Sequence, residues 1–290
     1  STILEALKEG VYNHVLGDGR EYVITNENAM TIQAEDGRSI KNTDISFFLR
    51  ALPVKSILPQ SFSTDNASGS TSQAAAVTEA VEAGCRLMLF DEDRSANNFM
   101  YKDEKMRSVI KNASTVPFID NARMFYEKHG ISSIIVVGAS GEYFRVADRV
   151  ILVENFTVSE YKDYSKDHKI SESAFSPLSR VVEFADLRRI CLARNIEIKD
   201  DSTLKIGNET VNIPEIIPHV TRGQLDFICS FIYYLTVIEQ HKGGNLRESV
   251  LRLYKKIESL GFDMIHQTGF RGTSGVIEYV RPDDILAILY

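Results

Sequence analysis

Three short apolar runs without alternation constrain this chain most. Leu87-Met88-Leu89-Phe90, Ile134-Ile135-Val136-Val137 and Val150-Ile151-Leu152-Val153 place large apolar side chains on successive positions. A strand with one wet face alternates apolar with polar residues, whereas a strand covered on both faces does not. Helix-forming stretches at 103–112 and 121–129 separate the first two runs. Ahead of the first lies 74–83, almost pure helix former, stopped by Gly84. Helices alternating with covered strands predict an α/β fold with a mainly parallel sheet. Ligands of such a sheet sit at the carboxyl ends of its strands.

Other signals fill in the organisation. Ile3, Leu4 and Leu7 recur at helical spacing, and Gly10 ends that helix. The turn Gly17-Asp18-Gly19-Arg20 leads to a short strand at 21–24. Asp36-Gly37, between Met30-Thr31-Ile32 and Ser39-Ile40, reads as a hairpin turn. After Asn155 the texture changes, so a core of 1–155 and a smaller, mainly helical subdomain of 156–290 are expected. Helices are expected there at 181–193, 224–239, 246–259 and 282–290, with a hairpin at 204–213 turning on Gly207-Asn208.

Composition narrows the function classes. Among 290 residues, 43% are apolar and 25% charged, as in an ordinary globular protein. The net charge of −7 supplies no bulk attraction to nucleic acid or to anionic membrane. Cys85, Cys191 and Cys229 are odd in number and lack CxxC spacing. That argues against a disulfide framework or structural zinc and suits a reducing cytoplasm. The longest apolar run, 225–238, carries Asp226 and falls short of the ~20 residues of a membrane span, so it reads as a buried helix.

Two local signals bear on chemistry. Arg86-Leu87-Met88-Leu89-Phe90-Asp91-Glu92-Asp93 is a covered strand delivering acids from its carboxyl end, as a Walker B element requires. Asp91 would orient Mg2+ through its water shell, and Glu92 would polarise the water that attacks a γ-phosphate. The plainer reading is that strands end in acids because loops are polar. The second signal is Ala67-Ser68-Gly69-Ser70-Thr71-Ser72-Gln73 at the start of the Ala-rich helix. Small residues there expose backbone N–H groups and hydroxyl donors to an anion. Alone it is better read as a Ser/Thr N-cap. Position favours function: Ser68 lies 23 residues before Asp91, joined by one helix and one strand.

Those residues carry a resemblance. ATP-binding domains of the ABC class place a Ser-Gly-Gly signature, a helix and a Walker B strand with Asp-Glu at this separation. The chain resembles that class, and more closely the family of predicted ATPases of the ABC class found as free-standing soluble proteins. The shared strings are residues 62–75 (FSTDNASGSTSQAA), 89–100 (LFDEDRSANNFM), 10–14 with 17–21 (GVYNH, GDGRE) and 137–144 (VGASGEYF). The likeness covers residues 1 to about 155 well. The tail matches weakly, mainly through Arg281-Pro282 and the terminal helix.

The resemblance implies a P-loop NTPase of ABC type, and it implies roles. Ser1 and Thr2 would end the Walker A loop, G-x-x-x-x-G-K-S-T, with Ser1 ligating Mg2+ beside Asp91. Its Gly-rich turn and Lys would then lie upstream, making this the carboxyl-terminal part of a larger protein. Ser68, Gly69 and Ser70 would close over ATP held by a second copy, in a homodimer that ATP brings together. Ser95-Ala96-Asn97 stands at the D-loop. Gln33 is a candidate Q-loop side chain, with a plain strand residue beside a turn as the competing reading. Ser140 would meet the γ-phosphate where the class has a switch His, and a hydroxyl is no protonatable switch. His129 precedes that strand and reads as a helix-end residue.

The implied function is Mg2+-dependent ATP hydrolysis by a soluble, cytoplasmic dimer. Its output would be mechanical or regulatory, with RNA or DNA handling one class suggested by soluble relatives. Two alternatives stand beside it: an ATP-gated binding or scaffold module that turns over slowly or not at all, and a Mg2+-dependent phosphatase using Asp91, Glu92 and Asp93. No second carboxylate cluster supports the phosphatase.

Overall fold

A computed structural model describes residues 2–12, 14–50, 58–110, 114–166, 174–176, 180, 185–193, 195–239, 245–266 and 276–290. The chain divides into two compact units, Ser1–Val81 with Cys85–Pro177, and Glu82–Gly84 with Leu178–Tyr290.

The first unit runs α1 (Thr2–Glu9), β1 (Ala29–Thr31), β2 (Ile40–Thr43), β3 (Phe62–Thr64), α2 (Gly69–Ala83), β4 (Leu87–Asp91), α3 (Asn97–Met100) and α4 (Glu104–Val109). It continues through α5 (Ala122–His129), β5 (Ser132–Val136), β6 (Val150–Glu154) and β7 (Thr157–Tyr161). β4 is the middle of a three-stranded sheet ordered β1-β4-β5, and both pairings are parallel. Leu89 packs with Leu4 of α1 and with Ala29, flanked by Leu7, Leu87 and Val136. On the opposite face Phe90 meets Phe118 at 4.5 Å, and Phe118 stacks with Phe125 at 5.7 Å. With both faces of β4 covered, its run has no polar position to spare.

The other two runs differ from expectation. Ile134 of β5 is 37% exposed, so this strand is paired on β4 without being covered on both sides. The run 150–153 is no third sheet strand at all. β6 folds back on β7 as an antiparallel hairpin, Val153 opposite Val158, and Ile151, Leu152, Val153 and Val158 are exposed. Asn155 (φ 48°) and Phe156 (φ 61°) make its turn. Residue 156 is the tip of this hairpin, within the first unit.

Two further expectations fail near the start. The hairpin on Asp36-Gly37 does not form, because β1 pairs with β4 and β2 pairs antiparallel with β3. Gly37 (φ 87°) still turns the chain, and its N–H donates to Ala67 O at 2.7 Å. Residues 21–24 form no strand; Tyr22 and Ile24 are exposed.

The second unit contains α6 (Ala185–Leu192), β8 (Ile196–Ile198), β9 (Thr203–Ile206), β10 (Glu209–Asn212), α7 (Arg222–Tyr233), α8 (Leu246–Leu260), α9 (Asp263–His266) and α10 (Pro282–Leu289). The hairpin on Gly207-Asn208 is present as β9–β10, and β8 extends it to three antiparallel strands. Thr221 and Gln224 cap α7 reciprocally, each side chain taking the other's backbone N–H. Past Tyr233 the helix continues as a π-helical turn, Tyr234–Ile238. Most of α7 is buried, Asp226 included, with Arg222 one turn away. No helix among the described residues is long and apolar enough to cross a membrane.

Candidate functional site

The carboxyl end of β4 delivers two buried acids. Asp91 is 9% and Glu92 8% exposed. Asp91 Oδ1 accepts the N–H of Asp93 at 3.2 Å, which starts the single 3-10 turn Glu92–Arg94. Glu92 Oε2 accepts two backbone N–H groups, from Gly138 at 2.7 Å and Ala139 at 2.8 Å. The parallel register sets Asp91 opposite Val136, so the loop after β5 arrives beside Glu92. A carboxylate taken out of water needs such donors, and bonds to an ionised acceptor are the strong ones.

The third strand ends at the same edge. Ile32 N donates to Leu89 O at 2.9 Å, extending the β1–β4 ladder and placing Gln33 beyond it. Gln33 is 5% exposed; its Nε2 lies 3.5 Å from Glu35 Oε1, and its Oε1 is buried with no hydrogen-bond partner among the described residues. Ser140 is half-buried, and its Oγ accepts the N–H of Glu142 at 3.2 Å. Gln33, Asp91, Glu92 and the 138–140 loop thus stand at the carboxyl ends of three adjacent parallel strands, where such sheets bind ligands.

The start of α2 faces the loop after β1. Ser68 is exposed, its Oγ 2.9 Å from Thr71 Oγ1, and its carbonyl accepts the N–H groups of Thr71 and Ser72. Ser72 Oγ accepts from Glu35 N at 2.8 Å. A Cβ on Gly69 would meet Asp36 Oδ1 at 3.2 Å and Ala34 Cβ at 3.3 Å, so these side chains of the loop after β1 crowd the helix start. Ser70 is half-buried.

Sequence reasoning missed two connections. Fully buried Gln73 reaches from α2 to the loop after β4, donating to Ser95 Oγ at 3.0 Å and accepting from Ala96 N at 2.9 Å. Ser95 Oγ in turn donates to Asp91 O at 2.7 Å. The available signal was a polar side chain on an otherwise Ala-lined helix. The second is the pair of amides on Glu92, for which the small residues Gly138-Ala139 were the signal.

Some expected members are not brought in. Ser1 lies outside the described residues. Thr2 is an exposed first residue of α1, and Asp93 is exposed. His129 ends α5 beside Phe125 and Phe175; burial, and then the Lys128 charge, push its pKa down. No group of three or more His, Cys, Asp or Glu among the described residues is placed to hold a metal ion. The oxygen donors at the sheet edge, the Asp91 carboxylate and the buried Gln33 carbonyl, are hard ligands that suit Mg2+ accompanying a phosphate.

The model of the ABC_ATPase family, described as a P-loop domain, matches residues 1–181. An uncharacterized protein of Methanocaldococcus jannaschii is 31% identical over 160 residues, covering 53% of this chain and 34% of the relative. The chain thus spans about a third of the length of that relative.

Proposed function

The chain belongs to the ABC_ATPase family of P-loop domains, and from that premise we propose that it binds ATP with Mg2+ and hydrolyses it. The observation that carries this reading is the buried Glu92 carboxylate, held by two amides beside Asp91 at the end of the central parallel strand. Both amides take Oε2, which leaves Oε1 to accept a proton.

Each residue then has a part. Asp91 and Ser1 would hold Mg2+, with Thr2 the neighbouring residue of that loop. Mg2+, when bound, offsets charge on the β- and γ-phosphates. The buried Gln33 carbonyl, without a hydrogen-bond partner among the described residues, would be a further oxygen ligand for that ion. Water oxygen bonds to the γ-phosphorus, the bridging bond to ADP breaks, and the water's proton passes to Glu92. Ser140 contacts the γ-phosphate. Ser68, Gly69 and Ser70 close over the nucleotide of a second copy, so ATP favours a homodimer and hydrolysis releases it. RNA or DNA handling is one output such a switch serves; a change in turnover on adding either tests it.

One observation favours the ATP-gated binding module instead. The loop after β5 offers Ser140 where the class has a switch His, and a hydroxyl does not titrate near neutral pH. Steady-state Mg2+-ATPase of the full-length gene product, wild type beside Glu92→Gln, decides between them. The expected result is a loss of about 10²- to 10⁴-fold in kcat with ATP binding retained. Equal turnover in both proteins would refute Glu92 as the base, and ATP binding without turnover in either would establish the module.

A further inference from the structure

The segment that begins α2 is stitched to the loop after β1. Gly37 N donates to Ala67 O at 2.7 Å, and Ala67 N donates to Arg38 O at 3.0 Å. One turn further on, the Ser72 hydroxyl makes a third link. It accepts the N–H of Glu35 at 2.8 Å and donates to Gly69 O at 2.9 Å. Ser72 is fully buried, whereas Ser68 is exposed.

A serine inside a helix often bonds back to a carbonyl of the preceding turn, and that bond by itself slightly weakens the helix. Alanine forms helix better, and it fills Ala74, Ala75 and Ala76 just beyond. What sets Ser72 apart is its second bond. With the hydroxyl proton on Gly69 O, the oxygen still accepts Glu35 N, two residues past Gln33. One buried atom therefore ties Gly69 to the chain leaving the sheet edge. Ala34 and Asp36 crowd Gly69 from the same loop, so the glycine is held by contact as well as by bonds.

We propose, on the reading that Ser68, Gly69 and Ser70 close over the ATP of a second copy, that Ser72 is a positioning residue for that closure. Its hydroxyl holds Gly69 at a set place relative to the end of β1, so the segment meets the nucleotide already ordered. Ordering it only on contact would subtract from the affinity of the closed pair.

Thr78 supplies a matched control. It is also fully buried on α2 and donates to Asp44 O at 2.9 Å, about 14 Å along the helix from Gly69. The full-length protein is tested with Mg2+ and a non-hydrolysable ATP analogue, comparing wild type, Ser72→Ala, Ser72→Cys and Thr78→Val. Sedimentation velocity reads dimerisation, analogue binding at high dilution reads the separate protomer, and Tm reads the fold. Ser72→Ala should weaken analogue-driven dimerisation tenfold or more and leave binding by the separate protomer unchanged. Ser72→Cys keeps nearly the same shape with a weak donor and acceptor; it should follow Ser72→Ala, and it decides the matter if the alanine variant does not fold. Thr78→Val should lower Tm comparably yet dimerise like wild type. The inference is overturned if the Ser72 variants dimerise within tenfold of wild type, if Thr78→Val loses dimerisation equally, or if the separate Ser72 protomer binds the analogue less well. A wild type that stays monomeric with the analogue refutes the two-copy reading itself, and the Ser72 role falls with it.

Discussion

The side-chain oxygen of Gln73 accepts the backbone N–H of Ala96 at 2.9 Å, and this joins the helix that begins at Gly69 to the loop that carries Glu92. The same carboxamide donates to Ser95, whose hydroxyl is bonded to the carbonyl of Asp91. A short, partly buried chain of bonds thus links that helix to the acids.

Replacing Gln73 by Met keeps the volume and removes both bonds. A loss of about 1–3 kcal/mol in unfolding free energy is expected, since half-buried Ala96 loses the acceptor of its N–H and Ser95 loses a donor. Urea denaturation measures it. ATP turnover should fall more than the stability change explains, because Ser95 no longer fixes Asp91.

In the second unit Arg281 and Asp284 are both buried and paired twice, Nε to Oδ2 at 2.9 Å and Nη2 to Oδ1 at 3.0 Å. Asp284→Ala takes a doubly bonded carboxylate from a buried guanidinium, an expected loss of about 3–5 kcal/mol. Arg281→Met with Asp284→Leu removes both charges and should cost less than the single change. A double variant no more stable than Asp284→Ala would contradict this account.

Asp120 is bonded by Arg107 and by Arg145 at the surface of the first unit. Burial raises its pKa, but the bonds and charges of the two arginines outweigh that and the net shift is downward. With the folded pKa below the unfolded value of about 3.9, the unfolded chain takes up the proton first. The contribution is therefore present above about pH 4 and is lost as pH falls through the folded pKa. Asp120→Asn should flatten the acid side of a plot of urea midpoint against pH and leave its slope near pH 7 unchanged.

Phe156 holds a left-handed backbone at the tip of the β6–β7 hairpin with its ring in solvent. Phe156→Gly removes a strained conformation but frees the unfolded chain, so stability should stay level or rise by up to about 1 kcal/mol. Calorimetry checks it. A clear fall in Tm would show that the ring is packed in solution.

What could be read from the sequence was local. The run Leu87 to Phe90 announced a strand covered twice, the alanines before Gly84 a helix, Gly207-Asn208 a hairpin, and Asp91-Glu92 the acids at a strand end. Each follows from backbone preference or from how many faces of a segment avoid water, and both are written in neighbouring residues. The run 150–153 shows where that reasoning stops: its apolarity matches that of β4, yet it pairs with β7 in the open. Likewise Asp36-Gly37 turns the chain without making a hairpin, because the backbone of β1 finds its partner in β4. Only the tertiary structure decided that Gly138 and Ala139 hold Glu92 and that Gln73 holds Ala96. Those are pairings between polar groups far apart in the chain. Residue type sets what each group can bond, but only the assembled sheet determines which groups come within reach.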